Sequence, residues 1–188
     1  MKHSPSPAKN DAALPPLSAA PLVSVIVPCY NMAEHTRSTV ESLLGQSYER
    51  VEIVCVDDGS KDATLEVLAS FGNRIKVLAQ KNQGACRARN AGLKASSGEL
   101  VAFLDCDDLW EPAKAEKAVA AFRAHPAAAL VYHHALWIDE RGRVVGPRRL
   151  PALPSGRIFD QLILSDFIRN STPMLRRAAL EQVGGWDE

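Results

Sequence analysis

The chain has 188 residues, 46% of them hydrophobic and 23% charged, which suffices for one globular domain with a substantial core. Its 22 basic and 22 acidic side chains give a formal net charge of zero, so composition offers no electrostatic case for a nucleic-acid partner. No apolar stretch approaches the roughly 20 residues that a membrane span needs, and the cysteines occur singly. We therefore expect a cytoplasmic protein, with peripheral association at the inner face of the membrane as the alternative.

The predicted domain occupies residues 22–188 and follows a Pro- and Ala-rich leader, residues 1–21, which we expect to be flexible. Within the domain, short apolar runs alternate with amphipathic segments, a pattern typical of βαβ units on a mostly parallel, buried sheet. The predicted strands are VSVIV, VEIVCV, RIKVL, LVAFL and AALVYH, and the predicted helices cover residues 33–45, 61–71, 85–96 and 112–125. This pattern predicts an α/β sandwich.

Side-chain patterns indicate where two of these helices begin and which residues they bury. Ser60 is the predicted N-cap of the second helix, which would bury Leu65, Leu68 and Phe71. Pro112 suits the first turn of the fourth helix, since its missing N–H has no partner to lose there.

Beyond residue 134 the alternation of strands and helices stops. IDERGRVV predicts a hairpin, and PRRLPALPSG predicts a surface loop. A helix near 157–167, the extended stretch STPML and a short helix near 176–183 follow. The arginines of the hairpin and loop are expected to be solvated, with contact to an acceptor phosphate or a lipid head group as the alternative; they are Arg141, Arg143, Arg148 and Arg149.

Polar clusters follow each of the first four predicted strands. They read PCYN (28–31), DDGS (57–60), AQKNQG (79–84) and DCDD (105–108). Ligands of open α/β sheets bind beyond the carboxyl ends of the strands, where loops and helix N-termini converge. The four clusters are therefore predicted to line one rim of the sheet.

The DCDD cluster places three carboxylates within four positions at a strand end. Mg²⁺ and Mn²⁺ bind through one or two such carboxylates and complete their shell with waters and substrate phosphates. A bridging cation would also explain why like charges are tolerated together. The alternative is a solvated acidic turn in which Asp108 caps the next helix.

The other clusters allow two interpretations each. Asp57 and Asp58 either bind a nucleobase or ribose, or form a turn and helix cap. Asn31 is either a ligand-binding or a turn residue, and Tyr30 either stacks on a base or belongs to the core. Arg89, early in its helix, suits either a diphosphate or a solvated helical face. The pair His133-His134 lacks further ligands, which disfavours a zinc site.

Four segments, taken in order, carry a resemblance to a known family. They are VSVIVPCYN, VEIVCVDDGSKDAT, NQGACRARNAGLKASSGELVAFLDCDDLW and LRRAALEQVGGWDE. Together they resemble the family-2 glycosyltransferases, which are inverting enzymes with the Rossmann-like α/β/α GT-A fold, and the likeness covers residues 23–188. A dehydrogenase or a sugar nucleotidyltransferase is disfavoured, because no glycine-rich loop follows VSVIV.

The resemblance implies a nucleoside-diphosphate sugar donor, most often UDP-linked, and a Mn²⁺ or Mg²⁺ ion. It implies a metal site at Asp105 and Asp107, with Asp107 as principal ligand. It implies a nucleotide-sugar site formed by Pro28, Tyr30, Asn31, Glu34, Asp57, Asp58, Arg89, Asn90, Asp105 and Asp108. Within that set, Asp58 would contact the base and Asp108 would lie near the sugar.

The resemblance also implies a catalytic base that takes a proton from the acceptor hydroxyl as inversion occurs. In the family this base follows the GGWDE element, so it is expected beyond Glu188, and the domain 22–188 would stop short of it. The expected acceptor is a glycan or a lipid-linked molecule, as in cell-envelope polysaccharide synthesis. The alternative is a catalytically incomplete module that only binds nucleotide sugars.

Overall fold

The computed structural model describes residues 13–139, 141–146 and 151–187. The strands are β1 (Val23–Cys29), β2 (Val51–Asp57), β3 (Lys76–Ala79), β4 (Leu100–Phe103), β5 (Leu130–Val131), β6 (Trp137–Ile138), β7 (Val144–Val145) and β8 (Met174–Arg176). The helices are α1 (Ala33–Leu44), α2 (Thr64–Ala69), α3 (Ala85–Ala95), α4 (Lys114–Ala124), α5 (Phe159–Leu164) and α6 (Arg177–Val183), and a 3-10 turn covers Gly72–Arg74.

The central sheet has the strand order β3-β2-β1-β4-β8-β5. The first four strands in this order pair in parallel, as predicted. Strand β8 inserts antiparallel between β4 and β5. The chain runs from β1 outward to β3 and then returns to place β4 on the other side of β1, so the direction of winding switches between β1 and β4.

Helices cover both faces of the sheet, which gives an α/β/α sandwich. On one face, β1 side chains such as Val25 and Val27 pack with Val40 of α1, Leu68 of α2 and Phe122 of α4. On the other face, two smaller clusters pack the sheet against α3 and α6; they are centred on Ile26, Val101, Phe103 and Leu180, and on Val54, Val56 and Ala88. Alternate strand residues face opposite layers, as the pleat requires.

Strands β1 and β2 extend further toward the rim than β4 does. Pairing of β1 with β4 ends at Ile26 and Phe103, whereas pairing with β2 continues to Cys29 and Asp57. Ile26 O accepts a hydrogen bond from Leu104 N, and alternate residues of a strand point their polar groups to the same side. The backbone of Pro28, two residues after Ile26, therefore points to the side of β1 on which β4 has already ended. Because β4 does not pair with β1 at this position, the missing N–H of Pro28 costs the sheet no hydrogen bond.

Several predicted helix ends differ from the observed ones. Helix α2 begins at Thr64 rather than after Ser60, because Asp62 Oδ1 accepts hydrogen bonds from both Thr64 N and Thr64 Oγ1. Leu65, predicted to be buried, is 39% exposed, whereas Leu68 and Phe71 are buried as predicted. Pro112 lies in a turn ahead of α4.

The C-terminal third follows the prediction in outline. Strands β6 and β7 form the predicted hairpin, and α6 ends at Gly184 in the left-handed conformation. The predicted helix near 157–167 is shorter and covers only Phe159–Leu164. His133 and His134 follow β5 instead of lying on it. Arg148, Arg149 and Glu188 lie outside the described residues.

The described part of the predicted leader, residues 13–21, contacts the domain. Ser18 N donates a 2.8 Å hydrogen bond to Glu99 Oε2, and Pro15 O accepts one of 2.9 Å from Arg176 Nη1. Pro21 O accepts a 2.7 Å hydrogen bond from Tyr48 Oη. These bonds fix the end of the leader on the domain surface, and the flexibility expected for residues 1–12 stays a prediction.

Within the described residues, no helix has the length and apolar character required to traverse a bilayer. Cys29, Cys55 and Cys106 are buried and Cys86 is partly buried, and none of the four forms a disulfide. The pKa of the Cys106 thiol is raised, first by its hydrogen bond with Cys29 and then by burial, so this thiol stays protonated. Cys29, Cys55 and Cys106 act as small apolar side chains of the core.

Candidate functional site

The loops after β1 and β2 are joined by side-chain to backbone hydrogen bonds. Asn31 N donates to Ser60 Oγ (3.0 Å), and Asn31 Oδ1 accepts from Lys61 N (2.8 Å). Met32 N donates to Thr64 Oγ1 at 2.9 Å. Asn31 adopts a positive φ of 53°, which asparagine tolerates better than most residues. Asn31 is therefore a turn residue that fixes two of the four rim clusters to each other.

The Asp58 carboxylate holds the third cluster in place. Its Oδ1 accepts hydrogen bonds from Gln80 Nε2 (2.7 Å) and Gln83 N (2.9 Å), and its Oδ2 accepts one from Gly84 N (2.8 Å). Gly84 is the N-cap of α3, so the negative charge at this helix N-terminus comes from Asp58 itself. Asp58 is 3% exposed, and Oδ2 retains one lone pair for a further donor.

Asp57 lies directly beside this arrangement and is also 3% exposed. Its Oδ2 accepts a long hydrogen bond of 3.3 Å from Ser60 N. Its Oδ1 is buried and accepts no hydrogen bond from the described residues. A buried oxygen left unpaired is costly, so Asp57 has the capacity to accept a donor from a ligand or a water.

Gly59 lets the second and third clusters approach each other closely. Its φ is +76°, and a Cβ at this position would lie 2.8 Å from Asn82 N and 3.2 Å from Gln80 O. Because both contacts are with backbone, a larger residue would push the loop of residues 80–84 away from Asp58.

The fourth cluster begins with Asp105 at the end of β4. Asp105 Oδ1 accepts a 2.7 Å hydrogen bond from Arg89 Nη2, which forms an ion pair between α3 and the β4 end. Asp105 N donates to Ser171 Oγ at 3.1 Å. Arg89 is 7% exposed, so its interpretation as part of a solvated helical face is wrong. Asp105 Oδ2 accepts no hydrogen bond within the described part of the chain.

Asp107 and Asp108 complete the cluster and are exposed. Asp108 N donates to Asp105 O at 3.0 Å, so the cluster does form a turn. Its alternative role as a helix cap is wrong, because α4 starts after Ala113 and has no side-chain cap. Partial burial raises the pKa of the Asp108 carboxyl; Asp107 and Asp105 raise it further, while the Ser171 hydrogen bond and Lys114 oppose the rise.

These carboxylates suit a hard divalent cation. The Asp107 carboxylate accepts no hydrogen bond from the described residues and faces solvent, and Asp105 Oδ2 is equally available. Among the described residues no three His, Cys, Asp or Glu side chains group into a protein cage for a metal. Mg²⁺ and Mn²⁺ do not require one, because they bind through one or two carboxylates plus water and phosphate. Burial is the main cause of the raised pKa of Asp108, and a cation would relieve the smaller part that comes from repulsion by Asp107 and Asp105.

Two contributors to the site are not among the residues predicted to form it. Trp186, near the C-terminus, places its ring 4.8 Å from the Arg89 guanidinium carbon, and its backbone pairs with the Asn90 side chain. Lys114, buried at the start of α4, donates a 2.6 Å hydrogen bond to Ser171 O and lies 3.8 Å above the Trp110 ring. Only the folded chain brings these residues to the rim.

The family-2 glycosyl transferase model matches residues 24–184 of the chain. The chain belongs to glycosyl transferase family 2. Its central sheet and flanking helices have the GT-A fold of that family, as the sequence predicted.

Curated relatives cover part of the chain. An uncharacterised glycosyltransferase of Nostoc is 39% identical over 115 residues, which are 59% of this chain and 36% of the relative. TuaG of Bacillus subtilis, named as a candidate glycosyltransferase of teichuronic acid biosynthesis, is 45% identical over 52% of this chain and 40% of its own. The chain thus spans about a third of the length of the curated relatives it matches.

Solved structures of glycosyltransferases share the fold. Staphylococcus aureus TarS, solved with UDP-GlcNAc, superposes with a TM-score of 0.72 and 27% identity over 89% of this chain and 48% of that chain. A Pyrobaculum calidifontis mannosyltransferase, solved with GDP-Man and Mn²⁺, gives a TM-score of 0.66 over 93% of this chain and 50% of that chain. At 22% identity, the second likeness concerns the fold alone.

The structure brings most of the predicted site residues to one rim. Asn31, Asp57 and Asp58 make hydrogen bonds within or between the first three clusters, and Arg89 of α3 binds Asp105 of the fourth. Of the remaining predicted residues, Pro28 lies near the end of β1, Glu34 at the start of α1 and Asn90 within α3, and the others lie in the loops: Tyr30, Asp107 and Asp108. The Tyr30 side chain is 41% exposed, which excludes the core interpretation.

Proposed function

We propose that this family-2 chain binds a nucleoside-diphosphate sugar, UDP-linked in the first instance, at the rim between β1 and β4. It would serve as the donor-binding part of an inverting glycosyltransferase that passes the sugar to an acceptor hydroxyl. The observation that carries the proposal is the arrangement at the switch point of a GT-A sheet, where hydrogen bonds join the first three polar clusters and the Arg89–Asp105 ion pair joins the fourth to α3. The complex of TarS with UDP-GlcNAc supports a UDP-linked donor.

The nucleotide would lie over the ends of β1 and β2. Asp58 Oδ2 has one lone pair left for a nucleobase N–H, and the unpaired Asp57 Oδ1 lies in the same cluster. The exposed Tyr30 ring offers a face for the base, and Asn31 keeps the two loops together. Pro28 and Glu34, at the end of β1 and the start of α1, would complete this pocket.

The diphosphate and sugar would lie over the end of β4. Asp107 and the free oxygen of Asp105 would hold Mn²⁺ or Mg²⁺, whose charge, when bound, offsets the charge that develops on the departing diphosphate. Asp108 would contact the sugar side of this centre. Arg89 keeps Asp105 oriented through its 2.7 Å ion pair, and Asn90 borders the pocket from the same helix.

A carboxylate base would remove the proton of the acceptor hydroxyl as its oxygen attacks the anomeric carbon from the opposite face. The proposed acceptor is a glycan or a lipid-linked molecule of the cell envelope, which the naming of TuaG for teichuronic acid biosynthesis supports. A cytoplasmic location, with peripheral contact at the inner membrane face, suits this acceptor.

Calorimetric titration of the chain with UDP, GDP and UDP-GlcNAc, each with and without Mn²⁺, tests the donor site. We expect UDP binding that Mn²⁺ strengthens and that Asp107→Asn weakens to the metal-free level. Asp160→Asn, which removes an exposed carboxylate from α5, is the matched control and should leave binding unchanged. Folded protein that binds none of the nucleotides, or binding that Asp107→Asn does not alter, would contradict the proposal.

A further inference from the structure

Trp186 lies between the end of α6 and the ion pair of the proposed cation site. Its ring centroid is 4.8 Å from Arg89 Cζ, within the range of a cation–π contact. Its ring centroid also lies 5.4 Å from that of Phe103, at an interplanar angle of 88°, which is a T-shaped contact with β4. The indole therefore contacts both the last residue of β4 and an arginine of α3.

The Trp186 backbone is also fixed. Asn90 Nδ2 donates to Trp186 O at 2.9 Å, and Trp186 N donates to Asn90 Oδ1 at 3.0 Å. Gly185, with a φ of +92°, permits this approach, because a Cβ there would lie 2.8 Å from Asn90 Oδ1. A buried side chain of α3 thus sets the position of the indole ring.

The consequence reaches Asp105 through Arg89. An arginine side chain has many rotamers, and this freedom must be restricted before its guanidinium can hold a carboxylate in one orientation. The Trp186 ring restricts it by covering the guanidinium, and Arg89 Nη2 then binds Asp105 Oδ1 alone. Asp105 Oδ2 is left without a hydrogen bond from the described residues, on the end of β4.

We propose that Trp186 is a positioning residue for the cation site: by holding Arg89 it orients Asp105 so that one carboxylate oxygen is bound and the other is presented to the metal. This inference rests on the proposed function, since it needs a cation at Asp105 and Asp107. It assigns a role to the GGW segment that does not require this segment to touch the donor.

The test combines a measurement of the Arg89 side chain with a measurement of the metal. The NMR resonance of the Arg89 Nε–H group reports whether the guanidinium is stacked on the Trp186 ring, both with and without ligand. This resonance is assigned through its loss in Arg89→Lys. Electron paramagnetic resonance of Mn²⁺ in the presence of UDP reports metal affinity. The variants are Trp186→Leu, Trp186→Phe, which keeps an aromatic face, and the control Trp137→Leu, which removes a tryptophan that is 69% exposed on β6.

We expect Trp186→Leu to shift the Arg89 resonance and to weaken Mn²⁺ binding by about tenfold, as loss of groups that orient metal ligands commonly does. Trp186→Phe should restore most of the affinity, and Trp137→Leu should change neither signal. UDP affinity without metal should stay constant throughout, which a general loss of structure would not allow. If Trp186→Leu does not fold, Trp186→Met removes the ring while keeping apolar volume, and the same comparison is made with it.

An unchanged Arg89 resonance or unchanged Mn²⁺ affinity in a folded Trp186→Leu protein would overturn the inference. If Trp186→Phe and Trp186→Leu lose the same amount of Mn²⁺ affinity, the role of the aromatic face would be overturned. If the wild-type chain binds no Mn²⁺ with UDP while the Arg89 resonance still responds to Trp186→Leu, the proposed function fails and the contact between Trp186 and Arg89 stands.

Discussion

Asp58 and Gly84 are joined by a 2.8 Å hydrogen bond from the backbone N–H that opens α3 to a buried carboxylate at the end of β2. With the two bonds from Gln80 and Gln83, this contact makes one side chain responsible for the shape of the loop of residues 80–84. The loop and the candidate nucleotide pocket therefore depend on the same carboxylate.

Asp58→Asn should loosen this loop even when no ligand is present. An amide has a single oxygen acceptor, so at least one N–H of the loop loses its partner, at a cost of about 1–3 kcal/mol. Hydrogen exchange at Gln83 and Gly84 should accelerate, and UDP affinity should fall in parallel. Asp160→Asn serves again as the control. If the amides of Gln83 and Gly84 exchange as slowly in Asp58→Asn as in the wild type, the role given to Asp58 is wrong.

Gly92→Ala should destabilise the fold without touching the rim. A Cβ at position 92 would lie 2.4 Å from Ile26 Cγ2 and 3.2 Å from Val56 Cγ2, so α3 packs on the sheet only because residue 92 has no side chain. Overpacking of this kind typically costs about 1–3 kcal/mol in free energy of unfolding. In Gly45→Ala the nearest contact would be 3.4 Å, and urea unfolding should show a clearly smaller loss. Equal losses in the two variants would contradict this packing.

The stability of the protein should depend on pH through Lys114. Burial lowers the pKa of this lysine from 10.5 to about 7, against the opposing influence of Asp108. Between these two values the unfolded chain binds more protons than the folded chain, so the free energy of unfolding rises with pH across this window. Below pH 7 both states carry the ammonium and the cost of burying it is fully present.

Urea unfolding of the wild type and Lys114→Met across pH 7 to 10.5 measures this dependence. The free energy of unfolding of the wild type should rise relative to the variant by at most about 1.4 kcal/mol per pH unit, the limit for one proton. Lys117→Met, on the exposed face of the same helix, should run parallel to the wild type. If the free energy of unfolding of Lys114→Met instead varies with pH in parallel with that of the wild type, Lys114 keeps its ordinary pKa and the prediction is wrong.

Arg176→Met should destabilise the domain and release the described part of the leader. Arg176 is 3% exposed and donates hydrogen bonds to the carbonyl oxygens of Ala128, Pro15 and Pro126. Its loss leaves carbonyls without donors, each at about 1–3 kcal/mol when buried. The midpoint temperature of thermal unfolding should fall, and limited proteolysis should cut the chain within residues 13–21. Arg141→Met, at an exposed hairpin position, is the control, and an unchanged cleavage pattern in Arg176→Met would contradict the contact.

The fold and the rim could be predicted because their signals are local. Apolar runs such as VEIVCV and the clusters that follow them report strand ends directly, and parallel strands end at one edge of a sheet. Errors arose where side chains override local pattern: α2 starts after Ala63 without a side-chain cap, and the Ser60 hydroxyl, expected to cap it, instead accepts a hydrogen bond from Asn31 N.

Contacts between distant parts of the sequence could not be predicted. Asn90 and Trp186 are 96 positions apart, and nothing in either segment indicates that they pair. Ser171, which binds Asp105 N and Lys114 Nζ, lies in a loop that reads only as an extended stretch. The insertion of β8 between β4 and β5 likewise depends on pairing that sequence periodicity does not specify.

The most direct test of the central claim is the location of Mn²⁺ by paramagnetic broadening of backbone amide resonances in the presence of UDP. If the rim between β1 and β4 holds the metal and nucleotide, the amides of residues 105–108 should broaden first, whereas the hairpin residues Trp137 and Val145 should stay sharp. Asp107→Asn should abolish the effect. Broadening centred elsewhere, or none at saturating UDP, would contradict the account.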